Sequence, residues 1–327
     1  MKELIENFGN QLKEALIIGS NSKLEKYKKP FSNVLIIGMG GSGIAGTIIS
    51  ELVSHESKIP ILVSKTYFLP SYVSENSLVI ISSYSGNTEE TVEAIKHALK
   101  RKAKVVCIAS GGKILKMAGE KRIDHIAIPK GMPPRAGLGY SIVSMFFILY
   151  HFKIIGGKFR AEFKASVKLI KKEGKNIQKE AKKVAKVLFK KIPIIYSPVG
   201  YEGVSVRFRQ QLNETSKMLA SHHVIPEMNH NEIVGWRKKN NNLAVVILRN
   251  DSDYLRVKKR IDFTKKVISK YTSNVVEIYS KGHSMIEKSM HLIHLTDWIA
   301  VILAQMKKVD PREVQVIESL KVILKNL

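Results

Sequence analysis

The chain has 327 residues, of which 44% are hydrophobic and 25% charged, and its 54 basic and 28 acidic side chains leave a formal net charge of +26. That balance fits a globular chain long enough for two domains. It excludes a membrane-spanning helix, because the longest apolar candidate, Ile142 to Ile155, is broken by His151 and Lys153. Cys107 is the single cysteine, so no intrachain disulfide is available, which fits a cytoplasmic protein. Nucleic acid is the first partner to consider for so basic a chain. The charge is spread, however, and its densest stretch, Lys158 to Lys191, sets Phe163, Val167, Ile170, Ile177, Ala181, Val184 and Leu188 at helical spacing among lysines. That is the pattern of a solvated helix face, so the expectation is no nucleic-acid and no membrane partner, and an attraction for anionic metabolites.

In chain order, residues 1–29 read as one or two helices, the first amphipathic rather than a signal peptide. Val34 to Ile37 is a buried-type strand ending in Gly38-Met39-Gly40-Gly41-Ser42-Gly43, with a helix to about Ser54. Strands follow at Ile59–Val63, Leu78–Ile81, Val105–Ala109 and Ile123–Ile128, with helices at Thr88–Leu99 and Ile114–Met117. Pro129 to Gly137 is rich in breakers and reads as neither helix nor strand. It leads into a buried helix, Leu138 to Tyr150, and the Gly156-Gly157 pair marks a domain boundary between residues 1–156 and 157–327. The second half opens with a long helix, about Arg160 to Lys190. It then repeats the plan with strands at Ile192–Tyr196, Leu243–Leu248 and Val275–Ile278, and helices at Val204–Leu219, Tyr254–Tyr271, His283–Met306 and Glu313–Leu324. Alternating strands and helices imply right-handed crossovers and mostly parallel sheets, hence two α/β/α sandwiches.

Two turns offer an anion site. The glycine turn Gly38–Gly43 fits the dinucleotide fingerprint, but the next strand ends Val63-Ser64-Lys65-Thr66, with no acid to hold a ribose. The second turn, Ser82-Ser83-Tyr84-Ser85-Gly86-Asn87-Thr88, runs from a strand into a helix and carries more hydroxyls than an N-cap needs. Amides of Gly40 and Gly41, the hydroxyls of Ser42, Ser83, Ser85 and Thr88, and two helix N-termini could converge on one phosphate.

Together these turns resemble a sugar isomerase (SIS) domain. Pro133-Pro134-Arg135-Ala136-Gly137-Leu138-Gly139-Tyr140-Ser141, Gln211-Leu212-Asn213-Glu214 and Ile225-Pro226-Glu227-Met228-Asn229-His230-Asn231-Glu232 narrow it. In this order they resemble the archaeal bifunctional phosphoglucose/phosphomannose isomerases over nearly the whole chain. The resemblance implies two SIS-type domains and a cofactor-free, metal-free isomerase. It would interconvert fructose 6-phosphate with glucose 6-phosphate and mannose 6-phosphate through an enediolate. It implies Glu214 as the base between C2 and C1 and Arg135 beside the forming enediolate. It also implies His230 for ring opening, supplied across a homodimer, and a lysine near the C-terminus, Lys321 or its neighbour Lys325.

The chemistry asks for the same residue types. A carboxylate on a rigid helix can move a proton next to a carbonyl, and a guanidinium stabilises an oxyanion while keeping its own proton. His222, His223 and His230 suggest a metal, but no H-x-x-x-H or cysteine partner accompanies them. One rival is a phosphosugar-sensing regulator, which needs a helix-turn-helix domain ahead of the first strand. Another is an amidotransferase, for which Cys107, mid-strand, cannot be an N-terminal nucleophile.

Overall fold

The computed structural model describes residues 1–325, with side chains to Leu324. The first half comprises α1 (Lys2–Glu6), α2 (Phe8–Ser20), β1 (Asn33–Ile37), α3 (Gly40–Leu52), β2 (Ile61–Ser64), β3 (Ser77–Ser83), α4 (Glu89–Lys100), β4 (Lys104–Ala109), α5 (Gly112–Glu120), β5 (Asp124–Ala127) and α6 (Leu138–His151). After it come α7 (Phe159–Leu188), β6 (Ile192–Pro198), α8 (Glu202–Glu214), β7 (Ser221–Ile225), β8 (Leu243–Arg249), α9 (Leu255–Ile268), β9 (Val275–Tyr279), α10 (Met285–Lys307) and α11 (Gln315–Lys325).

All strand pairs are parallel. One sheet has the order β2-β1-β3-β4-β5, the other β7-β6-β8-β9. Side chains alternate across each sheet, as the two-residue period of a strand requires. Val34, Ile36, Leu78 and Ile80 join one core, while Leu35, Ile37, Val79 and Ile81 join a second under α4 and α5. In the other sheet Ile195, Val246 and Leu248 enter that same first core, and Tyr196, Val245 and Ile247 pack under α9. The inner faces of both sheets therefore share one core, filled by α3, α6, α7, α8 and α10. Burying each aliphatic side chain contributes about 1.5–3 kcal/mol, which explains why α6 tolerates an apolar surface on all sides: Leu138 to Leu149 are all buried.

Local chemistry fixes the ends. Ser284 and Glu287 form a reciprocal capping box at the start of α10, and Lys308 closes its far end in a left-handed conformation with φ 56°. Gly203 lets α8 approach α3, since a Cβ there would meet Ile48 Cγ1 at 2.8 Å. Among the described residues no helix is long and apolar enough to cross a membrane.

The structure differs from the sequence reading in that α8 ends at Glu214 and not at Leu219, and in two further places. Pro134–Ala136 is a single 3-10 turn inside the Pro129–Gly137 loop, because Pro134 pre-sets its first φ. Ser221–Ile225 is a strand, β7, that the two adjacent histidines and short apolar run did not reveal.

Candidate active site

At the carboxyl end of β1 the chain turns through Gly40, whose φ is +50°, into α3. At the carboxyl end of the adjacent β3 it turns through Gly86, φ +69°, into α4. Gly86 must be glycine on two counts: its left-handed φ, and the Gly111 carbonyl oxygen that a Cβ would meet at 1.8 Å. Placing the turns on neighbouring strands puts both helix N-termini at one place on the sheet, where ligands of open parallel sheets bind.

The predicted cradle residues are brought together there. Ser42 Oγ, buried, accepts the Tyr84 N–H at 3.1 Å and so ties the glycine turn to the serine turn. Ser83 Oγ lies 2.9 Å from Thr88 Oγ1 and accepts the Gly86 N–H at 3.2 Å. Exposed Ser85 Oγ accepts the Asn87 N–H at 3.3 Å. The amides of Gly40, Gly41, Glu89 and Glu90 have no acceptor among the described residues, as first-turn donors do not. Glu89 and Glu90 offset part of the positive end of α4, so what these turns can offer an anion is directed N–H and O–H groups more than net charge.

Arg135 reaches the same place from the 3-10 turn. Its Cα would lie 3.2 Å from a Cβ on Gly41, so the turn lies directly on the glycine loop. Its Nη1 donates to Glu214 Oε2 at 3.3 Å, with the arginine side chain 5% and the glutamate 29% exposed. Burial pushes the guanidinium below its usual pKa and Glu214 pushes it back. Nη2 donates to the carbonyl oxygens of Pro311 at 2.6 Å and Arg312 at 3.2 Å, in the strap between α10 and α11. Glu214 is the last residue of α8. Lys217 Nζ donates to the Glu214 carbonyl at 2.6 Å, and also to that of Glu313 in the strap. A carboxylate and a buried guanidinium thus stand together beside an anion cradle, an arrangement able to shift a proton next to a developing oxyanion.

The remaining predicted residues do not join this group within the chain. His230 is exposed at the end of the 3-10 turn Glu227–His230, and among the described residues it makes no hydrogen bond to Arg135 or Glu214. Lys321 is exposed on α11, and the side chain of Lys325 lies outside the described residues. His222 and His223 point to opposite faces of β7, and among the described residues no group of three or more His, Cys, Asp or Glu side chains is placed to hold a metal.

Arg207, Gln211 and Asp297 escaped the sequence reading. Arg207 is buried, forks onto Asp297, and donates to the backbone carbonyl of Arg135. Their signal was the spacing Arg207, Gln211, Glu214, which places three polar side chains on one face of a helix. A cleft of about 1250 Å³ lies elsewhere: Lys26, Tyr27, Phe31, Ile59 and Phe152 line it near the amino ends of β1 and β2, away from the converging groups.

Residues 29–152 match the SIS domain family, and residues 177–324 match the bacterial phospho-glucose isomerase C-terminal SIS domain. A bifunctional phosphoglucose/phosphomannose isomerase of Caldicellulosiruptor bescii is 36% identical over 98% of each chain. One of Aquifex aeolicus is 32% identical over 99% of this chain and 98% of its own. Among solved structures, the C-terminal domain of glucosamine-fructose-6-phosphate aminotransferase from Francisella tularensis superposes with a TM-score of 0.75 at 14% identity, covering 96% of this chain and 98% of that one. At that identity the likeness shows the fold: two SIS-type sandwiches.

Proposed function

The chain belongs to the bifunctional phosphoglucose/phosphomannose isomerase family, and from that membership we propose how its own residues carry the reaction. It is an aldose–ketose isomerase that interconverts fructose 6-phosphate with glucose 6-phosphate and mannose 6-phosphate. The family does not favour a purely sensing, regulatory role.

The Arg135–Glu214 pair beside the two-turn cradle carries the reading. The cradle takes the 6-phosphate through Ser42, Ser83, Ser85, Thr88 and the amides of Gly40 and Gly41. Glu214 removes the C2 proton of the open-chain aldose and returns it to C1. Arg135 meets the negative charge that grows on the enediolate oxygens. Glucose and mannose 6-phosphates differ only at C2 and lose that proton to one common enediolate. A substrate anchored at its far end can turn about C2–C3 and present either face to one base.

The active unit is a homodimer in which His230 of one protomer opens the sugar ring at its partner's site, with Lys321 beside it. Exposed His230 supports this. So does α11, whose Val316, Ile317, Leu320 and Ile323 are 84%, 43%, 54% and 62% exposed, an apolar face suited to a second copy. The enzyme needs no cofactor and works in cytoplasmic glycolysis and gluconeogenesis, to which a lone, buried Cys107 is suited.

Glu214→Gln tests the reading. The amide keeps size and most hydrogen bonding but accepts no proton, so both isomerisations should fall together by about 1,000-fold or more while sugar-phosphate binding persists. Both should run in EDTA. Loss of the glucose reaction alone, or a mannose reaction stopped by chelation, sinks the single-base mechanism.

A further inference from the structure

We propose that Arg207 is a positioning residue for the reaction, holding Arg135 in register with Glu214; this rests on the reading of Arg135 and Glu214 as the reacting pair. Arg207 is 2% exposed on α8. Its Nε donates to Asp297 Oδ1 at 3.2 Å and its Nη2 to Asp297 Oδ2 at 2.7 Å. The same Nη2 donates to the backbone carbonyl of Arg135 at 2.7 Å. Asp297, on α10, is 6% exposed and also accepts from Gln211 Nε2 at 2.8 Å. Thr215 Oγ1 in turn donates to Gln211 Oε1 at 3.1 Å.

Stability alone does not account for this network. A buried ion pair is often no more stabilising than apolar side chains of equal volume, because desolvation offsets its attraction. Its placement has a geometric use. Arg207, Gln211 and Glu214 sit at i, i+4 and i+7 of one helix, so the element that ends in the base also holds the arginine's main chain. Asp297 fixes the direction of the Arg207 fork from α10. The strap that leaves α10 then holds the tip of Arg135 through the carbonyls of Pro311 and Arg312. Backbone and tip of Arg135 are therefore both referred to the α8–α10 pair. The 3-10 turn that carries Arg135 is only three residues long, Pro134–Ala136, and has little rigidity of its own. A displacement of about 1 Å at a reacting group can lower a rate roughly 100-fold.

The experiment is a double-mutant cycle of Arg207→Lys and Arg135→Lys, with kcat and KM measured for fructose 6-phosphate. Lysine keeps a cation for Asp297 but loses the branch that reaches the Arg135 carbonyl. In the wild-type background Arg207→Lys should lower kcat by about 10- to 100-fold with KM changed less than about threefold, because the cradle is carried by the turns after β1 and β3, which Arg207 does not touch. In the Arg135→Lys background it should lower kcat less than about threefold further, since the residue it positions is already altered. A kcat within about twofold of wild type, or equal fractional losses in both backgrounds, overturns the proposal and leaves Arg207 a structural residue. If Arg207→Lys does not fold, Gln211→Met removes the support of Asp297 without stranding a charge, and the same non-multiplying losses are expected with it. The Arg135→Lys parent separates the two claims. Undiminished activity there removes Arg135 from the chemistry, and this inference with it. A large loss there with multiplying effects removes the inference alone.

Discussion

Both carboxylate oxygens of Glu51, next to last in α3, accept the Gly203 N–H at the start of α8, at 3.2 and 3.0 Å. At the other ends of the same two helices, Glu214 closes α8 and meets Arg135, which rests on Gly41 at the start of α3. α3 thus sends Glu51 directly to the first turn of α8, while α8 sends Glu214 to the arginine that rests on the first turn of α3, and the Glu51 contact helps to set the axis along which Glu214 is presented.

Glu51 should make stability fall with pH. Burial pushes its pKa up from 4.5 to about 7, against the lowering effect of the Gly203 N–H. A carboxyl with a raised folded-state pKa stabilises fully below its unfolded pKa and loses that contribution as pH rises through the folded one. Urea unfolding of wild type and Glu51→Gln should therefore diverge between pH 4.5 and 7, the variant gaining up to about 3 kcal/mol relative to wild type and then running parallel. Parallel curves throughout would show Glu51 to be ionised without penalty.

Two buried histidines should act in the opposite direction. His291 and His294 on α10 are held down at about 4, mainly by burial. For His291, Lys281 adds to the lowering and Glu173 opposes it; for His294 the neighbour is His291. Both ring nitrogens of His291 lack a partner among the described residues. A depressed histidine contributes stability above its unfolded value of about 6.5 that is lost as pH falls through about 4. His291→Leu should flatten that acid limb by up to about 3 kcal/mol and leave the curve above pH 7 almost unshifted. An acid limb identical to wild type would assign it to other groups.

The cradle should reveal itself in KM. Ser83 and Thr88 hydroxyls lie 2.9 Å apart and face the same turn. A hydrogen bond to a charged group contributes about 1.5–3 kcal/mol, so Ser83→Ala with Thr88→Ala should raise KM for fructose 6-phosphate by roughly 100-fold or more. An unchanged KM would move the phosphate away from this turn.

The composite site can be tested by mixing. Glu214→Gln protein and His230→Ala protein, exchanged into mixed dimers, leave one site with both residues intact in each heterodimer. Random pairing should restore about a quarter of wild-type sites. No recovery, with exchange verified by mass, would place His230 outside its partner's site.

The sequence by itself determined the parallel α/β plan and the two hydroxyl-bearing turns. Both are written in local signals: apolar runs of strand length, and the glycines and serines a strand-to-helix turn demands. Arg135 and Glu214 were legible through motif resemblance, as isolated residues 79 positions apart. Only the tertiary structure brought them within 3.3 Å and showed what holds them. Arg207 and Asp297 are separated by 90 residues; the spacing Arg207, Gln211, Glu214 marks a shared helix face, but nothing local names Asp297 as the partner. β7 is hidden in the sequence for a related reason: a segment of five residues with two histidines becomes a strand by pairing with β6, which no local propensity encodes. Short-range chemistry fixes turns and helix ends; the meeting of α3, α8 and α10 is a consequence of one shared core closing on itself, and that closure places Arg135 beside Glu214.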